Sequence, residues 1–163
     1  MEKIEKDVIA ILNSDSRIPV SKMALMLGEQ ESVVEKTVKS LEERGIIVKY
    51  TTILNMDIVE DDVVEALIEV KVAPKRGAGF DAIAEEIAAH DEVENLYLMS
   101  GAYDLAVIVK GKSLKSVSRF VSERISTYED VISTATHFIL NKYKIEGAKM
   151  KKGNSDCRVS VQP

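Results

Sequence analysis

Residues 29–41, with the sequence EQESVVEKTVKSL, combine three glutamates with two lysines in one stretch of helical periodicity. Val34, Val38 and Leu41 recur at the spacing of one apolar helix face, which leaves the polar residues on the other faces. Lysines on such a face can bind nucleic-acid phosphates, and a glutamate can accept a hydrogen bond from cytosine N4 in the major groove. Glutamates in the first turn also have a structural explanation, because negative charge stabilises a helix N-terminus by about 0.3–1 kcal/mol each.

The candidate DNA contacts lie on the polar faces of this helix and just beyond it. They are Ser32, Glu35, Lys36, Thr37, Lys39, Arg44, Lys49 and Tyr50, with Lys22 as a further contact to the flanking phosphates. So few cations predict weak binding per subunit and a shallow dependence on salt. An oligomer that presents several such helices would raise the affinity through effective concentration.

Two helices precede this stretch. The first is predicted over IEKDVIAIL, and the polar residues NSDSR end it and begin a turn. The second is predicted over VSKMALML, which Pro19 introduces and Gly28 ends. Arg44 and Gly45 end the third helix. Two helices joined by a tight glycine turn predict a helix-turn-helix in residues 1–50, although a plain three-helix bundle fits the same spacing. The following IIVKYTTIL is rich in β-branched residues and predicts an ordered strand that leads into a connection at 51–61.

Residues 62–145 read as a second domain. DVVEALIEVKV, VENLYLMS, DLAVIVKG and VISTATHFIL are predicted strands, whereas FDAIAEEIAAH and SLKSVSRFVSERI are predicted helices, the latter capped by Ser113. Their order, β-α-β-β-α-β, is typical of a ferredoxin-like domain. PKRGAG is predicted to be a loop, and residues 146–163 a polar tail.

Composition limits the function further. The 163 residues carry a net charge of −5, distributed as −1 over residues 1–55, −10 over 56–109 and +6 over 110–163, so nucleic-acid contact would be local. No apolar run approaches the ~20 residues of a membrane span, and the charged start lacks the apolar core of a signal peptide, so a cytoplasmic protein is expected. Cys157 has no second cysteine to pair with, and no spacing of ligands predicts a metal or cofactor.

The order of elements resembles the Lrp/AsnC (feast/famine) transcription regulators. IEKDVIAILNSDSRIPVSKMALMLG is similar to the first two helices of that family, and VVEKTVKSLEERGIIVKYTTILN to its recognition helix and connecting strand. LYLMSGAYDLAVIVKG contains the family's G-x-Y-D turn, and VISTATHFILNKYK resembles its closing strand. The resemblance spans residues 3–145. It implies an α+β fold with an N-terminal winged-type helix-turn-helix and a C-terminal ferredoxin-like βαββαβ effector (RAM) domain.

The resemblance also implies partners: double-stranded DNA, a small-molecule effector that is usually an amino acid, and copies of the chain that dimerise through their connecting strands and assemble further. The implied effector residues are Met99, Ser100, Gly101, Tyr103, Asp104, Thr134 and Thr136. Asp104 can accept from an ammonium, while turn amides and threonine hydroxyls can donate to a carboxylate. Gly101 and Asp104 also suit a plain turn, and the threonines, two apart on one side of a strand, either face the ligand or pack against helices.

The sequence departs from the family at the recognition helix, where Glu29 and Gln30 replace a leucine and a serine, and Glu35, Thr37 and Ser40 stand in or near the basic run. This acidity keeps open an effector-binding assembly module that has lost DNA binding. An enzyme is a further alternative, because tetrapyrrole decarboxylases share the architecture and His137 with Lys142 could serve a macrocycle.

Overall fold

The computed structural model describes residues 1–59, 63–73 and 79–150. The chain divides into two compact units between Ile53 and Leu54, called here the helical unit and the sheet unit. Cys157 and most of the PKRGAG loop lie outside the described residues. Within the described part, no helix has the length and apolar character needed to cross a bilayer.

Three helices form the helical unit: α1 (Lys3–Ser14), α2 (Val20–Leu27) and α3 (Glu31–Glu43). Their inner faces meet in a small core whose buried residues are Val8, Met23, Ala24, Val34 and Leu41. Pro19 is the N-cap of α2, and Gly28 ends that helix in the left-handed conformation with φ +68°. The predicted helix-turn-helix is therefore present, with residues 28–30 as its turn.

The end of α3 is a Schellman motif. Gly45 has φ +67°; its N–H donates to the Glu42 carbonyl at 2.9 Å, and the N–H of Ile46 donates to the Leu41 carbonyl at 2.9 Å. These two bonds satisfy carbonyls that the helix itself leaves unpaired. The left-handed residue redirects the chain, and Ile47 packs against the core of the unit.

The strand predicted over IIVKYTTIL is not formed. Residues 48–55 have no regular secondary structure, and a short helix, α4 (Met56–Val59), follows them. A β-strand is stabilised by hydrogen bonds to a neighbouring strand, and none of the described strands of this chain pairs with this segment. Its apolar side chains are exposed as a result, Val48 to 88%.

The sheet unit has the predicted order β1 (Val64–Val72), α5 (Asp81–Ala88), β2 (Val93–Leu98), β3 (Leu105–Gly111), α6 (Leu114–Glu123) and β4 (Val131–Phe138). The strands lie in the order β2-β3-β1-β4, and every neighbouring pair is antiparallel. The α+β class and the ferredoxin-like βαββαβ arrangement are confirmed. Ser113 caps α6 as predicted, since its side chain accepts from the Ser116 N–H.

One side of the sheet carries the core of this unit. The register sets Ile68 opposite Val107 and Val70 opposite Leu105, and all four are fully buried. They pack with the apolar faces of both helices, whose buried members are Ile83, Ile87, Val117, Phe120 and Val121. Strand alternation then directs Glu65, Leu67, Glu69 and Lys71 to the opposite side of the sheet.

The polar tail predicted from residue 146 begins with a small hairpin that the sequence analysis missed. Strands β5 (Lys144–Ile145) and β6 (Ala148–Lys149) pair across a turn in which Glu146 and Gly147 have φ +44° and +82°. Positive φ at both central residues matches the twist of a tight hairpin. Glu-Gly is a weaker signal for this turn than Asn-Gly or Asp-Gly, which explains the omission. Residues 151–163 lie outside the described part.

Candidate functional site

The outer face of α3 carries the first group of candidate residues. Ser32, Glu35 and Lys36 are exposed, whereas Val34 and Leu41 are buried on the opposite face. The Thr37 hydroxyl donates to the Val33 carbonyl at 2.8 Å, so it is bonded within the helix. Glu31 is the first residue of α3, but Glu29 precedes the N-cap Gln30. Stabilisation of the helix N-terminus therefore accounts for Glu31 better than for Glu29.

Several of the candidate DNA contacts are held by carboxylates of the same unit. Nζ of Lys39 lies 3.8 Å from Oε1 of Glu43, in an exposed pair one turn apart. The Tyr50 hydroxyl donates to Oε1 of Glu42 at 2.9 Å, and burial together with this bond raises the pKa of Tyr50. Lys36 has no carboxylate within ion-pair distance in the described part of the chain.

Arg44 has a role inside the helical unit. Its guanidinium forms an ion pair with Glu5, whose side chain is 13% exposed, and Glu5 also accepts from the N–H of Glu2 at the start of α1. The hydrogen bond from Arg44, followed by the one from Glu2, lowers the pKa of Glu5. The pair joins the beginning of α1 to the end of α3. The sequence suggested Arg44 as a phosphate contact because it could not show this partner.

The second group surrounds the turn between β2 and β3. The Met99 N–H donates to the Asp104 carbonyl at 2.8 Å, which closes the turn. Met99 to Ala102 are exposed, and Tyr103 is half-buried. Gly101 does not have a left-handed φ, and a Cβ added to it would meet no atom within 4 Å. The conformation of this chain therefore does not itself require glycine at this position.

Asp104 connects the same turn to β1. Its Oδ2 accepts from the Val72 N–H at 2.8 Å, and its own N–H donates to the Val70 carbonyl at 3.0 Å. Val72 is buried and follows a shift in the β1–β4 register, which occurs between Lys71 and Val72. The carboxylate thus supplies an acceptor for a backbone donor at the end of the ladder.

Thr134 and Thr136 face the helices. In the register of β4 they stand opposite Val70 and Ile68, whose side chains lie in the helix-covered core. Oγ1 of Thr134 lies 3.3 Å from Oγ of Ser126, in the 3₁₀ turn Ile125–Thr127 that follows α6. Of the two arrangements that the sequence left open, the structure has the one in which these side chains pack.

A groove of about 500 Å³ lies at the far end of β3, at Gly111, about 20 Å along the strand from the turn. Its walls carry both signs of charge, from Asp91, Glu92, Lys110, Lys112, Arg119, Glu123 and Arg124. No residue of the β2–β3 turn lines this groove. Met99 to Ala102 of that turn are instead exposed on the surface of the sheet unit.

His137 and Lys142, the residues of the tetrapyrrole-enzyme alternative, each lie within ion-pair distance of a glutamate. Nε2 of His137 lies 3.4 Å from Oε1 of Glu69, and Lys142 forms an ion pair with Glu65. Glu65 is the buried charged residue of the described part; it also has Lys110 at 3.9 Å, and the sequence analysis did not single it out. The sequence does contain a sign of this role, because Glu65 interrupts the apolar start of the strand VVEALIEVKV.

His90 packs within the sheet unit. Its ring stands edge-on to Phe120, with the centroids 5.3 Å apart, and Nε2 lies 2.9 Å from the Tyr128 hydroxyl. Across the described residues, no three or more His, Cys, Asp or Glu side chains cluster as metal ligands would.

Comparisons with known proteins agree on the class of molecule. Residues 65–148 match the family described as the Lrp/AsnC ligand binding domain. The chain is 42% identical over 160 residues to the uncharacterized HTH-type transcriptional regulator YugG of Bacillus subtilis, covering 98% of this chain and 96% of that protein. AsnC of E. coli has the same fold, with a TM-score of 0.68 at 18% identity over 89% of this chain and 95% of that one. A Neisseria meningitidis transcriptional regulator, solved as a complex with L-Met, has a TM-score of 0.70 at 19% identity, covering 89% and 93%.

Proposed function

Because the chain belongs to the Lrp/AsnC family, we propose that it is a DNA-binding transcription regulator whose sheet unit senses a small molecule, most simply an amino acid. The observation that carries this proposal is the similarity to a helix-turn-helix regulator along almost the whole chain. It includes both the helix-turn-helix and the sheet unit. The relatives named above are regulators, which favours this function over the tetrapyrrole enzyme.

The face of α3 with Ser32, Glu35 and Lys36 is proposed to enter the major groove. These side chains are exposed and point away from the core of the helical unit. Lys36 is proposed to neutralise a phosphate because no carboxylate of the described chain competes for it. Lys39 is a weaker contact, since it must leave Glu43. Lys49 and Lys22 are proposed contacts to the flanking backbone, and Arg44 is left out because of Glu5.

Selection of genomic DNA fragments with the purified protein tests this proposal. The recovered fragment is titrated at about 50 and 200 mM salt with the wild type and with Lys36→Ala, Lys39→Ala and Lys6→Ala. Lys36→Ala is expected to weaken binding and to lower the log–log salt slope by about one for each bound subunit. Lys39→Ala should have a smaller effect. Lys6, exposed on α1, is the matched control and should leave both quantities unchanged.

Two opposed effects on DNA binding are expected of Glu35, and the same selection of DNA fragments distinguishes them. If Glu35 reads cytosine, Glu35→Gln should change the selected sequence at one base pair. If it only repels DNA, Glu35→Gln should raise the affinity for all fragments alike. No enrichment at low salt, from folded and oligomeric protein, would contradict DNA binding and favour the assembly module.

The turn of Met99 to Asp104 is proposed as the effector site. Gly101 supports this, because the chain's own conformation and packing would accept a side chain there. An approaching ligand or a second subunit supplies a reason for glycine, since backbone amides can then be reached closely. Ser100 and Tyr103 add hydroxyls beside those amides. The exposure of Met99 to Ala102 is consistent with a site that a neighbouring subunit completes.

Dimerisation is proposed through residues 48–55. This segment leaves its backbone outside any sheet of the chain and exposes Val48, Tyr50, Ile53 and Leu54. Pairing with the same segment of a second copy would form the strand that the sequence predicts and would cover these side chains. Higher oligomers would then bring effector turns together and present several α3 helices to DNA.

Thermal-shift screening of the common L-amino acids, followed by calorimetry, tests the effector site. Gly101→Val is expected to abolish binding while the free protein keeps its melting temperature, because a Cβ at this position meets no atom within 4 Å. Ala82→Val, on the exposed side of α5, is the control and should bind as the wild type does. Binding that survives Gly101→Val would show that the ligand lies elsewhere, for example in the groove at Gly111.

A further inference from the structure

We propose that Asp104 is a positioning residue, whose carboxylate fastens the β2–β3 turn to the end of β1 and does not bind the effector directly. This inference rests on the proposed function, because it assigns a role within the effector turn. It also replaces the sequence-based expectation that Asp104 accepts from a ligand ammonium. The effector would then be held by the turn's amides and by Ser100 and Tyr103, and Asp104 would set where those groups point.

Asp104 is hydrogen-bonded to the chain through its carbonyl, its N–H and its carboxylate. Its carbonyl accepts from the Met99 N–H at 2.8 Å, which ties it to the end of β2. Its N–H donates to the Val70 carbonyl at 3.0 Å, and its Oδ2 accepts from the Val72 N–H at 2.8 Å. One residue therefore joins the β2–β3 turn to two positions of β1, Val70 and Val72.

The position needs an acceptor that the ladder does not supply. The regular pairing of β1 with β3 ends at Val70 and Leu105, and the pairing with β4 shifts between Lys71 and Val72. Val72 is buried, so its N–H would lose its contact with water and gain no backbone partner in β3. The Asp104 side chain reaches past the last pair and takes the place of the missing carbonyl.

The charge of a carboxylate is not required for this task. A side-chain amide oxygen of the same size can accept from the same N–H, whereas an alanine methyl cannot. A ligand ammonium, by contrast, would be bound much more strongly by a carboxylate than by an amide. Asp104→Asn and Asp104→Ala therefore separate positioning from direct recognition.

The test compares wild type, Asp104→Asn and Asp104→Ala by two measurements. Hydrogen exchange at the Val72 amide, followed by NMR on the full-length protein, needs no ligand. Calorimetric affinity is measured for the amino acid that gives the largest thermal shift with wild type. Asp104→Asn is expected to stay within about three-fold of wild type in both, and Asp104→Ala to exchange at least about ten-fold faster and bind at least about ten-fold more weakly.

Two results would overturn positioning. If Asp104→Asn protects Val72 but binds as weakly as Asp104→Ala, the charge contacts the ligand. If the Val72 amide exchanges equally in all three proteins, the hydrogen bond does not hold the turn. Should no amino acid bind even the wild type, the effector proposal fails separately, and the exchange rates alone still decide the role of Asp104.

Discussion

Gly45 in the helical unit and Gly101 in the sheet unit stand at two turns that place different demands on the chain. Gly45 has φ +67° and lets two N–H groups reach the last carbonyls of α3. Gly101 has no left-handed φ and open space where a Cβ would lie. The first glycine is explained by the fold of its own unit. The second is not, and this difference is the observation behind the proposed effector site at the β2–β3 turn.

Charged residues within the helical unit show the same division. Arg44, next to Gly45, is used within the helical unit by its pair with Glu5. Lys36, on the outer face of α3, has no such partner in the described chain. Residues whose chemistry the fold already uses are poor candidates for binding, and residues that the fold leaves unused are better ones. Substitutions at Gly111, Gly45, Arg44 and Gly101 test this comparison.

The largest effect is expected for a third glycine, Gly111, which packing requires. A Cβ there would lie 2.7 Å from Oγ of Ser116 and 2.8 Å from Cγ2 of Val117. Gly111→Ala should destabilise the sheet unit by about 1–3 kcal/mol in urea unfolding. In a background of Val117→Ala the cost should shrink, because the nearer methyl is gone. An unchanged cost in both backgrounds would mean that the Val117 methyl does not set it and that the contact with Ser116 Oγ dominates.

Gly45→Ala should cost about 1–2 kcal/mol of helical-unit stability, because alanine is strained in the left-handed region. Gly45→Asn should recover part of this loss, since asparagine tolerates that conformation. Amide exchange across α1, α2 and α3 measures the change within the unit. Equal exchange in the two variants would show that φ is not the reason for glycine.

A smaller effect is expected from the Glu5–Arg44 pair, and it should depend on pH. The pKa of Glu5 is lower in the folded protein than its ordinary value of 4.5. Its contribution to stability is therefore fully present above pH 4.5 and is lost as the pH falls through the lowered pKa. Between pH 7 and pH 3, the stability of Arg44→Gln should therefore fall by less than that of wild type. Thermal unfolding of the helical unit, followed through the amide resonances of α1 and α3, measures this difference.

Lys39→Gln is the control for this comparison, because the exposed pair of Lys39 and Glu43 should contribute little. The stability of Lys39→Gln should fall between pH 7 and pH 3 by as much as that of wild type. If Arg44→Gln also follows wild type, the bond to Glu5 does not stabilise the helical unit, and Arg44 becomes available again as a DNA contact.

The smallest effect on stability is expected for Gly101→Ala, less than about 0.5 kcal/mol, as for a surface substitution. The added methyl meets nothing within 4 Å. Urea unfolding should therefore superimpose on that of wild type even where effector affinity falls. A loss comparable to that of Gly45→Ala would remove the contrast between the two turns, and with it a reason to place the effector there.

Much of the fold could be predicted because it depends on the local periodicity of apolar residues. Helical spacing located α1, α2, α3, α5 and α6, and alternation located β1 to β4, each with bounds close to those observed. The connecting strand was predicted from residue types alone, and it is not formed because a strand also needs a partner. The β5–β6 hairpin was missed because two residues a strand give no detectable alternation.

Most of the elements, their order and the family could be recognised in the sequence, since these depend on the spacing of apolar residues, on capping and turn residues and on short motifs. Which candidate side chains are already hydrogen-bonded or ion-paired within the chain is visible only in the folded structure. Arg44 meets Glu5 across 39 residues, and Asp104 meets Val72 across 32. Thr134 and Thr136 face the helices because of the register of β4 on β1. Hydrogen bonds between distant segments arise from packing, and no local pattern of residues encodes them.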